Sequence, residues 1–286
     1  MADLRSALAE AIRSRVMGDQ PPERALELMN HPGPRWFEPD RPIWTVHADS
    51  SMFIGGLRTL LLQSMHPLAM AGVAQHSDYR HDPWGRLQRT ADFLTSTTFG
   101  PAVDAERAVG IVRKVHERVT GVAPDGRLYS ANDPHLLAWV HIVEVDSFLQ
   151  AHQRYGQHPL LPQEADGYVA DMAVIASALG VVHPPTTVAG LKAALRGYQP
   201  ELRATKQARE AARFLLTPPV PAPAIPAYAI LSAAAIGLLP WWARVSLWLP
   251  VTPILDRVAV RPAGSGLMSV MRWALTAPPT PSSAPT

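Results

Sequence analysis

Almost no stretch of this chain alternates apolar and polar residues with the period of two that a half-buried strand needs. Segment after segment repeats its apolar residues at three- and four-residue spacing instead. The one Asp-Gly pair, Asp125-Gly126, sits between two helical segments and reads as a plain turn. The chain is therefore expected to be all-α, a helical bundle. The pattern predicts an amphipathic helix over residues 4–16, then an extended, Pro- and Trp-rich arm over 18–50. A strongly apolar helix runs from Leu57 to Met65, breaks at His66-Pro67 and resumes to about His76. Further helices are expected from Trp84 to about Thr97, after a Pro83 start, and from Ala102 to Thr120. Others follow over Pro134 to about Tyr155, Pro162 to Leu179 and Thr187 to Leu216. Five prolines between Pro218 and Pro226 make a rigid connector, followed by apolar helices near 227–239 and 241–249 and a last one near 264–275. The expected organisation is an N-terminal helix and arm (1–50), a helical core (51–217), a connector with apolar helices packing on that core (218–276) and a disordered tail (277–286).

Composition narrows the function classes. Hydrophobic residues make up 47% of the 286 and charged residues 17%, enough for a sizeable core. With no cysteine, thiolate-ligated haem, iron–sulfur clusters and covalent haem attachment are excluded, so any haem is held non-covalently by a neutral ligand such as histidine. Residues 1–200 carry 18 Lys and Arg against 21 Asp and Glu, whereas residues 201–286 carry 8 against 3. A basic, apolar C-terminal third suits peripheral contact with a membrane surface. The scattered basic residues give no nucleic-acid footprint. The apolar run Ala227 to Trp242 is short for a span and is interrupted by Pro240, so it reads as a buried or interfacial helix. Residues Met1 to Met17 lack the apolar centre of a signal peptide, and the expected location is cytoplasmic or membrane-peripheral.

Among candidate chemical groups, His116 stands out. Ala105, Ala108, Val109, Val112, Val115 and Val119 form a stripe that includes His116, while Arg113, Lys114, Glu117 and Arg118 take the other faces. Such an imidazole is either a core histidine bonded to a carbonyl or a metal ligand in an apolar pocket. Arg86 and Thr90 stand four apart and share a face with Phe93 and Thr97, flanked by Arg89. That face is either solvated or the polar rim of a pocket. His66, His76 and His81 gather around the helix break, and His141 lies three residues before Glu144, a spacing at which a carboxylate can orient an imidazole. No His-Glu-x-x-His, Gly-x-Gly-x-x-Gly, Walker A or Gly-x-Ser-x-Gly pattern occurs, which leaves zinc proteases, nucleotide binding and serine hydrolysis without a foothold.

Several blocks occur together in order: Leu61-Leu62-Gln63-Ser64-Met65-His66-Pro67, Gly72 to Ser77, Asp82-Pro83-Trp84-Gly85-Arg86-Leu87-Gln88-Arg89-Thr90, Val115-His116 with Gly121, Tyr129 to Pro134 and Trp139-Val140-His141. With Leu215 to Pro221 and Leu239-Pro240-Trp241, they resemble the DUF2236 family of rubber oxygenases and MpaB-type oxygenases over about residues 35–275. The resemblance implies a globin-like haem-binding core, non-covalent haem b, and oxygenase chemistry on a hydrophobic, isoprenoid-type small molecule with dioxygen. It implies His116 as the axial ligand of the haem iron, with Arg86 and Thr90 beside the cofactor, Arg89 over the iron and His141 close by. The acidic residue that serves as base in the rubber branch has no counterpart here; Gln63, Met65, His66 and Met70 occupy that region. A non-catalytic haem or lipid carrier, and a metal-dependent hydrolase built on the spare histidines, are the alternatives.

Overall fold

The computed structural model describes residues 28, 30–77 and 79–275. The helix expected over 4–16 and the tail expected over 277–286 lie outside them.

The longest helix organises the rest. α6 (Pro134–Tyr155) starts where Asp133 caps the backbone N–H of His135 and Pro134 takes the first turn, and it stops at Gly156. Its buried residues include Leu136, Trp139, Val143, Phe148, Leu149 and Ala151, which lie on every side, as expected of a helix enclosed by others. At 22 residues it is roughly 33 Å long and spans the molecule. The labels preceding it are α1 (Pro42–His47), α2 (Met52–Gln63), α3 (Pro67–His76), α4 (Pro83–Phe99) and α5 (Ala102–His116). After it come α7 (Pro162–Leu179), α8 (Val188–Tyr198), α9 (Lys206–Leu216), α10 (Ile225–Leu238), α11 (Trp241–Ser246) and α12 (Arg261–Leu275).

α2 packs directly along α6. Gly55 makes this approach close, because a Cβ there would meet the Phe148 ring at 2.6 Å and its Cα at 3.1 Å. Arg58 of α2 is buried with Asp146 of α6 at 2.7 Å, and its guanidinium also donates to the Ser147 hydroxyl and the Leu238 carbonyl at the end of α10. α10 crosses α2 and also packs on α12. On another flank, Leu137 meets Ala176 and Val181 at the end of α7. α1 lies across α7, held by the ion pair between Arg41 and Asp171.

α4 and α5 pack against each other as a hairpin closed by Gly100 and Pro101. Their connection gives Arg86 and His116 a common level. Arg86 lies 13 residues before Phe99 and His116 lies 14 after Ala102, so each is about 20 Å from the turn.

Three elements differ from the sequence expectation. The helix from Ala102 ends at His116, and a two-stranded antiparallel hairpin follows, β1 (Thr120–Val122) with β2 (Leu128–Ser130). Asp125-Gly126 is its turn, with Gly126 at φ 86°, and its strands are too short to display alternation. The helix expected from Thr187 to Leu216 is two, because Pro200 enforces a 3₁₀ turn over Gln199–Glu201 and the chain then runs extended to the Thr205 cap of α9. Within the expected arm, Pro42 sets the first turn of α1.

Candidate functional site

The stripe on α5 folds inward as the spacing requires. Ala105 and Val109 are buried, and Val112, His116 and Val119 are half-buried. Val115 is the exception at 54% exposed, since it sits a quarter-turn off the line. At the end of the stripe, the Nδ1 of His116 is buried with no hydrogen-bond partner. Burial lowers the pKa of this imidazole, which keeps it neutral and keeps a lone pair available. An unsatisfied buried ring nitrogen costs about 1–3 kcal/mol unless something occupies it.

Arg86 is held inward from the start of α4. Its guanidinium donates to the Ser77 hydroxyl at 3.1 Å, a neutral partner, and desolvation lowers its pKa. Gly72 of α3 faces Val119 and Tyr129, and Ser77 just after α3 accepts from Arg86, so this element touches both the turn after His116 and Arg86. Arg89 and Thr90 are exposed. Arg89 reaches back 3.3 Å to Asp82, and the Thr90 hydroxyl donates to the Arg86 carbonyl one turn earlier. The shared face of Arg86, Thr90, Phe93 and Thr97 therefore grades from surface at Thr90 to core at Thr97, because the first half of α4 projects beyond the bundle.

His141 lies on the face of α6 that also carries Leu137, Glu144 and Phe148, and these address α7 and α1. Its Nε2 is buried and unpartnered, and burial lowers its pKa to about 4. Glu144, by contrast, is raised to about 7 by burial. Burial, and after it the Glu144 charge, raises Tyr168 of α7. His47 of α1 completes the group, with Nδ1 2.7 Å from the Thr98 hydroxyl and Nε2 3.3 Å from that of Tyr168. Burial pushes its pKa down to about 3. Glu144 and His47 are half-buried, and desolvation is the cause of both shifts. Sequence reasoning singled out His141 and Glu144 but missed His47, Thr98 and Tyr168, whose helical positions carry no motif.

The three histidines around the break in the chain diverge. His76 bonds the Thr120 carbonyl and the Tyr129 hydroxyl, while His81 is exposed. His66 caps α3 and turns toward His135 and Glu201.

Two imidazoles with a buried, unpartnered ring nitrogen, His116 on α5 and His141 on α6, and the half-buried Arg86 guanidinium on α4 are groups of the kind that hold a haem. Arg89 and Thr90, also on α4, have their donors engaged elsewhere.

The described residues form an all-α domain built around one long central helix. The chain belongs to the family described as ER-bound oxygenase mpaB/B'/Rubber oxygenase, catalytic domain, whose model matches residues 44–273. Neither a curated protein nor a solved structure gives a significant match to the chain. The family is one of oxygenase catalytic domains, which act on a small molecule with dioxygen. Among the described residues, no helix is long and apolar enough to cross a membrane.

Proposed function

We propose that this chain is a haem b-dependent oxygenase acting on a hydrophobic, isoprenoid-type substrate. The observation that carries the proposal is the buried, unpartnered Nδ1 of His116, level with the inward Arg86 across the α4–α5 hairpin. His116 would hold the haem iron. When bound, haem supplies the redox-active iron on which the chemistry with dioxygen depends. The Arg86 guanidinium supplies fixed positive charge for a propionate or for charge developing beside the cofactor. Arg89 and Thr90 flank the mouth, where a change of rotamer brings either to a ligand. His141 and Glu144 stand deeper; a carboxyl with a pKa of about 7 can take or give a proton at neutral pH, and it fills the place of the base that the Gln63 to Met70 region lacks. The apolar stripe of α5 excludes water from the same space.

An apolar substrate partitions into lipid, and the second part of the proposal is peripheral membrane contact through the C-terminal face. Trp241, Val245, Trp248, Val251, Ile254, Leu255 and Val258 are all exposed large apolar side chains within one short segment.

The test is the absorption spectrum of the purified chain with iron analysis. A Soret band with one iron per chain, lost in His116→Ala, supports the proposal; a chain that neither retains nor takes up haem overturns it. A haem-replete chain that consumes no oxygen with any polyprenyl substrate is a carrier instead.

A further inference from the structure

On the opposite side of α6 from Glu144, three residues remote in sequence converge. His66 lies in the turn between α2 and α3, His135 is in the first turn of α6, and Glu201 closes the 3₁₀ turn after α8. One ligand atom from each lies within 4.8 Å of the other two. The Nε2 of His135 is 2.8 Å from a Glu201 oxygen, and the Nε2 of His66 is 3.4 Å from the same oxygen. His66 is 1% exposed, and its Nε2 has no hydrogen bond despite that proximity.

We infer that His66, His135 and Glu201 form a second, haem-independent site for one divalent first-row transition metal of the zinc type. Zinc bound by nitrogen and oxygen at about 2.0–2.1 Å in a tetrahedron sets its ligand atoms about 3.3 Å apart. The His66 to Glu201 separation already has that value, and the His135 to Glu201 separation has to open by about half an ångström. Two imidazoles and a carboxylate are a donor set that zinc and ferrous iron both accept.

The surroundings prepare the ligands. The Tyr198 hydroxyl has one proton and donates it to the His135 carbonyl at 2.8 Å, while its oxygen lies 3.2 Å from His135 Nδ1. That arrangement favours Nδ1 as a donor and leaves Nε2 facing the carboxylate at hydrogen-bond distance, where a cation can take the place of the shared proton. Tyr198 also stacks on the His135 ring, with centroids 4.6 Å apart, and Trp139 backs both Tyr198 and His66. Metal at the Nε2 of His66 places the proton on Nδ1 and gives up the capping contact from the Ala69 N–H, already long at 3.5 Å. The outer side is open: His135 is exposed and the Glu201 side chain keeps 39% of its surface, so water completes the coordination. A bound ion ties three chain segments together, beside the backbone bond from Arg203 N–H to the Met65 carbonyl.

The experiment uses the full chain, stripped with a chelator and titrated with zinc chloride by calorimetry, then loaded with Co²⁺ as a spectroscopic substitute. Haem is quantified on the same samples, so loss of haem and loss of metal are read separately. One zinc per chain, a rise in Tm on binding and strong visible Co²⁺ bands are expected. His135→Asn and Glu201→Gln should weaken zinc binding at least 100-fold and abolish the Co²⁺ bands, while His158→Gln on the surface leaves both unchanged. Glu201→Gln keeps an oxygen acceptor for His135, so the fold does not depend on the substitution. Zinc bound equally by wild type and both site variants, or not bound at all by the folded wild-type chain, overturns the inference.

Discussion

His116 and Arg86 each leave a local deficit that a ligand would remove: a buried nitrogen without a partner, and a half-buried cation whose hydrogen-bond partner among the described residues is a neutral hydroxyl. His116→Ala is expected to abolish haem retention while the far-ultraviolet circular dichroism stays helical, because the ring is half-buried at a helix end and supports little packing. Haem per chain by the pyridine haemochrome measures this, and unchanged stoichiometry refutes the ligand assignment. Arg86→Ala should weaken haem binding by about 1.5–3 kcal/mol, the value of one charge-assisted hydrogen bond. Thr90→Val should change it far less, since that hydroxyl already serves the Arg86 carbonyl. Equal losses in the two variants would mean that Thr90 turns toward the cofactor when it binds. His116 was legible in the sequence because helical period alone shows which way a side chain points. The engagement of Arg89 and Thr90 was not, because period gives a face without saying what lies opposite. The gathering of His66, His135 and Glu201 was invisible for a stronger reason: it depends on how three separate turns meet.

Between elements, the tightest dependence is that of α2 on α6. Asp146→Ala leaves Arg58 charged at 2% exposure with no counter-ion, and should cost about 3–5 kcal/mol in urea denaturation. Gly55→Val should be comparably severe, because Phe148 backbone and ring occupy the space. A loss under about 1 kcal/mol in both would show that the two helices separate easily. The titrating group formed by α1, α6 and α7 predicts a pH signature. Glu144, raised to about 7, keeps a proton in the folded chain that the unfolded chain releases, so its contribution makes stability fall as pH rises from about 4.5 to 7. His47 and His141, lowered to about 3 and about 4, act in the other direction: the unfolded chain takes protons that the folded chain refuses, and stability is lost as pH falls below 6.5. Glu144→Gln should therefore stabilise the chain more at pH 8 than at pH 5, by on the order of 2 kcal/mol, since a tenfold difference in proton affinity between the two states is worth roughly 1.4 kcal/mol. Parallel urea midpoints without such a difference would place the carboxyl in water. Pro83, Pro134 and Pro162 announced their helices from sequence, since proline is tolerated in a first turn. The hairpin over Thr120–Ser130 was read as a plain turn between two helices and the break at Pro200 as helix, because three-residue strands and a single proline in a helical run leave too little pattern to override the neighbours.

At the scale of the molecule, apolar surface is distributed unevenly. The segment from Trp241 to Val258 shows seven large apolar side chains to solvent, and its loop is built rather than slack. Asp256, the only acidic residue between 241 and 275, is buried against Arg244 at 2.6 Å and accepts from the Thr252 hydroxyl, so the loop presents no negative charge. Trp248 stands at φ 59°, a left-handed conformation unfavourable for a bulky residue, with the Arg209 guanidinium 4.1 Å over its ring. Strain retained to expose an indole points to a use for that indole. Arg257, which is exposed, and Arg261 lie next to the same segment in the sequence. Tryptophan at an interface with arginine around it suits the headgroup region of an anionic bilayer, where the ring is half-apolar and the cations meet lipid phosphate. The full chain should co-sediment with vesicles containing phosphatidylglycerol, more weakly with phosphatidylcholine alone, and salt should reduce the difference. The double variant Trp241→Ser, Trp248→Ser should lower partitioning by roughly 100-fold, at about 1.5 kcal/mol for each buried ring. Because Arg244 and Asp256 hold the loop from within, that variant should keep the wild-type Tm. Binding that survives the double substitution would move the contact to another face, and an absence of binding to either vesicle would leave the apolar surface to a protein partner.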